Sequence, residues 1–114
     1  MKERSIVDYL HDILDSIDEI GDFIRGMSFE EFAGDKKTIN AVLRSIEVMG
    51  EASRKIPEEI RSLHPHVPWR KMTGMRDKLI HEYHGVDIDT VWKTLNDDIP
   101  PLKDTIQEVI DKQG

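Results

Sequence analysis

The sequence predicts an all-α protein, an antiparallel bundle of four or five helices. Apolar side chains recur at three- and four-residue intervals through most of the chain, which is the spacing of one face of an α-helix. No segment alternates apolar and polar residues between hairpin turns, as a half-buried strand would. Several amphipathic helices joined by short links bury their apolar faces most simply by packing against one another in a bundle.

The composition is that of one folded domain, which we expect to span residues 1–114. Hydrophobic residues make up 38% and charged residues 34% of the chain, which is typical of globular rather than disordered or membrane-spanning proteins. The N-terminal segment lacks the apolar stretch of a secretory signal. Cysteine is absent, which excludes disulfides and thiolate metal sites. We therefore expect a cytoplasmic protein that does not associate with membranes.

Two long helices are predicted in the first half of the chain, over residues 5–25 and 37–56. Gly26 is a suitable stop for the first helix. Ser28 and Glu31 have the spacing of a capping box, which predicts a short helix ending at Gly34. An internal glycine costs about 1 kcal/mol relative to alanine in a helix, so Gly50 predicts that another helix approaches closely at this position.

Prolines and caps divide the second half. Pro57 suits the first position of a short helix that ends near residue 63. A third main helix is predicted over residues 69–83, with Gly85 as its cap. Asp87 or Asp89 can start the next helix, and the two prolines at 100–101 must kink or restart it before an amphipathic stripe continues almost to the C-terminus.

The net charge of −7 is distributed unevenly along the chain. Residues 54–84 contain seven Lys/Arg, four Asp/Glu and four of the five histidines, whereas the remaining residues contain nine Lys/Arg and nineteen Asp/Glu. A net negative charge argues against broad, non-specific binding of nucleic acid. We therefore expect any anionic ligand to bind near the central segment, while the acidic remainder suits a basic partner or solubility.

Polar residues of types that take part in catalysis cluster at 76–83 in the predicted third helix. At about 100° per residue, Asp77 and His81 share one face, so Asp77 can accept a hydrogen bond from the imidazole and fix its tautomer. Arg76 and Tyr83 share the neighbouring face. Arg76 and His81 are about 140° apart on an ideal helix, so they converge only if the helix ends before Gly85 or if a second chain contributes matching groups.

Arg76, His81 and Tyr83 form the pattern R-x4-H-x-Y, which resembles the signature of the HepT-like toxins of the HEPN superfamily. The resemblance continues in SIEVMGEA at 45–52, in WRKMTGMRDKLIHEYHGVD at 69–87 and in residues 89–102 with Trp92 and Pro100-Pro101. It covers most of the chain from Ser45 onward.

The resemblance implies a homodimeric helical bundle that cleaves RNA without a metal or other cofactor of its own, with Arg76 and His81 as catalytic residues in a cleft at the dimer interface. It also implies a partner, an MntA-type minimal nucleotidyltransferase antitoxin, which uses ATP and Mg²⁺ to transfer AMP onto Tyr83. Metal-independent cleavage of RNA needs a base, an acid and a cation, which two histidines across a two-fold axis and an arginine can supply.

Other interpretations of these residues remain open. The chain could be a non-enzymatic adaptor that binds a nucleotidyltransferase, which the acidic balance mildly favours. His64 with His66, and His81 with His84, have spacings that could suit a metal, but no clear third ligand accompanies either pair. Glu47 and Glu51 are weak candidates for an acid–base pair and could instead pair with Arg44, Arg54 or Lys55 across a helical turn. Trp69 and Trp92 are expected to be core or dimer anchors.

Overall fold

The computed structural model describes residues 4–80 and 87–113, and it confirms the all-α prediction. These two ranges contain seven α-helices and a π-helical turn, with no strand. The elements are α1 (Ile6–Ile24), α2 (Phe29–Ala33), α3 (Lys36–Arg54), α4 (Glu58–Leu63), α5 (Trp69–Ile80), α6 (Ile88–Lys93), the π-helical turn Thr94–Asp98 and α7 (Leu102–Gln113). The number exceeds the four or five expected because glycines and prolines divide the linking segments into separate short helices. The predicted end of α5, and the cap expected at Gly85, lie outside the described residues.

The helix starts follow the side-chain chemistry of their caps. Ser5 and Ser28 each accept a hydrogen bond from a backbone N–H three residues later, and the acidic side chain at that later position accepts one in return. The capping box expected at Ser28 is therefore confirmed. Asp87 is the N-cap of α6, and its side chain accepts a hydrogen bond from the backbone N–H of Thr90, three residues later. Pro57 is the N-cap of α4 rather than its first helical residue.

Helices α1 and α3 pack antiparallel. Ser45, in the middle of α3, donates a hydrogen bond of 3.1 Å to Glu19 near the end of α1. Tyr9, near the start of α1, shares a cleft with Glu51 near the end of α3. Because the end of α1 lies beside the middle of α3, and the start of α1 lies beside the end of α3, the two helices run in opposite directions. This arrangement places the first turns of α1 beside the last turns of α3.

The apolar stripes of all the long helices meet in one core. The fully or almost fully buried side chains from α1, α3, α5 and α7 include Leu10, Ile13, Ile20, Val42, Ile46, Met49, Met72, Ile106 and Val109. Burying a side chain of this kind contributes about 1.5–3 kcal/mol relative to leaving it in water. In the part of the chain that the structure describes, no helix is both long enough and apolar enough to cross a membrane.

Helices α3 and α5 approach closely at Gly50. This contact confirms the prediction made from the glycine inside the α3 pattern. A Cβ atom at this position would lie 3.4 Å from the carbonyl oxygen of Met72 and 3.6 Å from that of Thr73. Only a side chain no larger than a methyl group can stand between two backbones at this separation. The contact fixes the register of α5 on α3.

The helix before the two prolines widens into a π-helical turn that the sequence pattern did not predict. The N–H of Ile99 donates to the carbonyl oxygen of Thr94, five residues earlier. Pro100 has no N–H to donate, and its ring would clash with a carbonyl four residues earlier in a regular α-helix. Opening the turn relieves that clash, and α7 begins again after the second proline.

Candidate functional site

Arg76 lies on the exposed side of α5, one turn beyond the tight contact at Gly50. Its side chain is 46% exposed. Two carboxylates hold its guanidinium: Oε1 of Glu47 on α3 is 3.9 Å from Nε, and Oδ1 of Asp77 is 3.3 Å from Nη1. Since arginine has five N–H donors, this arrangement leaves the Nη2 side of the fork unpaired among the described residues. Arg76 is thus contacted from two sides, and no described residue pairs with it on the third.

The other predicted site residues divide into those the structure brings to Arg76 and those it does not describe. Asp77 contacts Arg76: its carboxylate accepts a hydrogen bond from Nη1 of the arginine. His81 and Tyr83 lie outside the described residues. The hydrogen bond expected between Asp77 and His81 therefore stays a prediction.

A cleft of about 500 Å³ opens beside Arg76 between the start of α1 and the second half of α3; we call it the α1–α3 cleft. It is lined by Arg4, Tyr9, Asp12, Arg44, Glu47, Val48, Glu51, Ala52, Lys55 and Arg76. Three helices contribute to this lining, because the antiparallel packing sets the start of α1 beside the end of α3 and the Gly50 contact sets Arg76 beside Glu47. The cleft could accommodate an extended polar ligand.

The carboxylates of the α1–α3 cleft are engaged by neighbouring arginines. Arg4 Nη1 is 2.8 Å from Asp12 Oδ2, a hydrogen bond that raises the pKa of the Arg4 guanidinium above its ordinary value. The guanidinium also stands over the Tyr9 ring, 5.0 Å from its centroid. Oε1 of Glu47 lies 3.7 Å from Nη1 of Arg44 as well as near Arg76. These pairs place several cations around the opening.

Glu47 and Glu51 behave as ion-pair partners rather than as an acid–base pair. Glu51 Oε2 lies 3.9 Å from Nη1 of Arg54, three residues along the same helix. Glu47 pairs with Arg44 on its own helix and with Arg76 on α5. The pairing of Glu47 with Arg76 joins two helices, and no sequence pattern predicted it.

The cleft also contains residues that no sequence pattern marks as candidate site residues. Arg4, Tyr9 and Arg44 lie outside the basic segment at 54–84 and carry no motif of their own. Their position beside Arg76 follows from the antiparallel packing of α1 and α3. Only a three-dimensional arrangement could have identified them.

Three histidines lie within the described residues: His11 is exposed on α1, and His64 and His66 contact other parts of the fold. His64 is 5% exposed, and its carbonyl oxygen accepts a hydrogen bond of 3.1 Å from the indole N–H of Trp69. His66 is exposed, with Nε2 3.8 Å from a carboxylate oxygen of Glu108. Across residues 4–80 and 87–113, no three His, Cys, Asp or Glu side chains are grouped as metal ligands would be.

The two tryptophans pack into the protein, as expected of core residues. Trp69 is 6% exposed. The ring of Trp92 lies 5.0 Å from that of Phe32 and 6.3 Å from that of Phe29. Both indoles are thereby engaged by the fold.

Comparison with known proteins assigns the chain to a family. The model of the family described as "Ribonuclease HepT-like" matches residues 13–109, which include Arg76 and the greater part of the α1–α3 cleft. The chain belongs to the HepT-like family. The resemblance carried by the R-x4-H-x-Y pattern is therefore confirmed.

Individual relatives match this HepT-like chain along almost its whole length. The protein named "Probable ribonuclease HepT" of Thermococcus cleftensis is 50% identical over 107 residues, which cover 94% of this chain and 97% of the relative. Two proteins of Methanocaldococcus jannaschii, each named as a "Putative RNase", are 46% identical over 110 residues, covering 96% of this chain and 91% and 95% of their own. No solved structure matches the chain significantly.

Proposed function

We propose that this chain is a metal-independent endoribonuclease and the toxin of a HepT/MntA-type toxin–antitoxin pair. The observation that carries the proposal is the position of Arg76, whose guanidinium lies beside two carboxylates at the edge of an open cleft and has no partner on its Nη2 side within residues 4–80 and 87–113. Family membership supports the proposal, because the relatives named above carry ribonuclease names.

The proposed reaction is an internal transfer at phosphorus. One His81 takes the proton of a ribose 2′-hydroxyl, and the 2′-oxygen forms a bond to the neighbouring phosphorus. The bond from phosphorus to the 5′-oxygen breaks, and a second histidine donates the proton that the leaving oxygen needs. The products are a 2′,3′-cyclic phosphate and a free 5′-hydroxyl. The free side of Arg76 stabilises the extra negative charge on the phosphorane oxygens, since a guanidinium fork matches phosphate geometry.

A homodimer supplies the two histidines. Each chain has one R-x4-H-x-Y pattern, and a two-fold axis would bring two copies of His81 to one substrate. Asp77 has a supporting role in this proposal, because it orients Arg76 and can also accept a hydrogen bond from His81.

The antitoxin is proposed to inactivate the site by modification of Tyr83. An MntA-type nucleotidyltransferase would transfer AMP from ATP onto the phenol oxygen and release pyrophosphate. The new phosphodiester carries a negative charge that competes with RNA for Arg76, and the nucleoside occupies space that the RNA backbone needs. Neither effect requires the protein to refold.

Cleavage of single-stranded RNA in the presence of EDTA tests the proposed activity. The unmodified protein should cut RNA, and His81→Ala should lose about 10²–10⁴-fold in rate. Arg76→Ala should also lose most of the activity, whereas Arg70→Ala, at another exposed position of α5 that does not line the α1–α3 cleft, should keep it. Activity that disappears with EDTA and returns with a divalent ion would contradict the metal-independent mechanism.

Expression of the chain alone in a bacterial host tests the toxin assignment. Growth should stop, and His81→Ala should restore it. A wild-type protein that neither cuts RNA nor arrests growth would instead support the non-enzymatic adaptor.

A further inference from the structure

The α1–α3 cleft has a charge balance opposite to that of the whole chain. Its lining contains four Lys/Arg and three Asp/Glu, whereas the chain contains 16 Lys/Arg and 23 Asp/Glu. The positive side chains come from the start of α1, from α3 and from α5. An anionic ligand is therefore attracted to this opening more than to the acidic surface around it.

Lys55 is the cation of this lining that has no ion-pair partner among the described residues. Arg4 is paired with Asp12, and Arg44 and Arg76 both approach Glu47. Lys55 is exposed at the C-cap of α3 and faces the cleft without such a partner. Its ammonium group can bind an incoming phosphate without first giving up a carboxylate.

Lys55 and Arg76 meet the α1–α3 cleft at different levels of α3. Arg76 approaches α3 at Glu47, and the backbone of Lys55 lies about two turns beyond that of Glu47, roughly 12 Å along the helix at 1.5 Å per residue. Cations spread along one cleft in this way suit the successive phosphates of a polyanionic chain. Single-stranded RNA has such a chain and can bend into an opening between two helices.

We propose that the α1–α3 cleft is a subsite for the backbone of single-stranded RNA, in which Lys55 binds a phosphate that flanks the one held by Arg76. This inference rests on the proposed ribonuclease function, since it extends the same substrate beyond the reacting bond. Lys55 contributes affinity and register on the RNA and takes no part in the proton transfers.

Binding of a short single-stranded 2′-O-methyl oligoribonucleotide, measured at a series of salt concentrations, tests the subsite. This probe lacks the free 2′-hydroxyl that cleavage needs, so binding is measured without reaction. Each phosphate contact adds about 0.7 to the slope of log Kd against log salt concentration for a single strand. Lys55→Gln should therefore reduce the slope by about 0.7 and weaken binding at low salt.

Lys37→Gln is the matched control. It removes the same charge, but Lys37 lies at the opposite end of α3 from the C-cap Lys55, roughly 27 Å away along the helix. Its salt slope should equal that of the wild type. Equal slopes for Lys55→Gln and the wild type, or equal losses in both variants, would overturn the subsite.

The outcome also separates this inference from the proposed function. If the wild-type protein cleaves RNA but Lys55→Gln leaves the salt slope unchanged, the subsite proposal fails and the ribonuclease proposal stands. If the protein binds the probe through Lys55 but cleaves no RNA, the ribonuclease proposal fails and the binding site stands. Thermal melting of the variants shows that the change in slope does not come from unfolding.

Discussion

Glutamine in place of Glu47 tests whether the carboxylate between Arg44 and Arg76 orients the arginine that the reaction uses. The change keeps the shape of the side chain and removes its charge. Oε1 of Glu47 lies 3.9 Å from Nε of Arg76, and the two side chains are 39% and 46% exposed. Ion pairs as exposed as this one contribute about 0.2–1 kcal/mol. A loss of that size, if it falls on the transition state, lowers kcat by about 1.4- to fivefold.

Glu51→Gln is the control, because it removes an equal charge from the same cleft one turn further along α3. Glu51 pairs with Arg54 and has no contact with Arg76. Both variants reduce the repulsion between the cleft and RNA, so KM should fall or stay unchanged in each. Only Glu47→Gln should lose kcat. The expected separation of kcat from KM distinguishes orientation of Arg76 from a general change in charge.

Steady-state cleavage of a fluorogenic RNA gives kcat and KM for the two variants and the wild type. The mobility of the Arg76 Nε–H, measured by NMR relaxation, provides a second measurement that does not depend on activity, and it should increase in Glu47→Gln alone. Equal kcat values in both variants, with unchanged mobility, would refute the role assigned to Glu47. A lower melting temperature accompanied by equal losses in kcat and kcat/KM would indicate a structural role.

Three further results are expected. Gly50→Leu should destabilise the protein by several kcal/mol in chemical denaturation, because its side chain would meet the Met72 carbonyl, whereas Gly50→Ala should change stability by no more than about 1 kcal/mol. Hydrogen bonds from the Thr90 side chain and then its backbone N–H lower the pKa of Asp87. Its stabilising contribution is therefore present at neutral pH and lost as pH falls below about 4, so melting temperature should fall less steeply with acid in Asp87→Asn than in the wild type. Incubation with the cognate nucleotidyltransferase, ATP and Mg²⁺ should add AMP to the wild type and none to Tyr83→Phe, as read by intact mass; equal modification of both would exclude Tyr83.

Local chemistry explains why the helices could be predicted closely. The starts at Ser5 and Ser28 depend on hydrogen bonds within three residues, and the stop at Gly26 depends on a positive φ of 76° at a single position. Gly50 was also interpretable, because a glycine inside a strong helical pattern has few explanations other than close packing. All these features are encoded within one or two turns of chain.

The π-helical turn and the surroundings of Arg76 could not be predicted in the same way. Leu95 and Ile99 are four residues apart, which suits an α-helix, so the apolar pattern did not reveal the wider turn. The pair between Glu47 and Arg76 depends on how α5 is positioned against α3. The pair between Arg76 and Asp77 joins adjacent residues, which helical periodicity does not predict as partners.

The π-helical turn at Thr94–Asp98 marks a position where the length of this chain could change. A π turn accommodates one residue more than the α turn that it replaces, and the extra residue is absorbed within that turn. A homologue with a single deletion between Lys93 and Ile99, and without a proline at the position of Pro100, could therefore form a regular α turn there and still present α7 to α1 in the same orientation. Insertions and deletions elsewhere in the long helices would rotate every following side chain by about 100° and carry apolar residues out of the core.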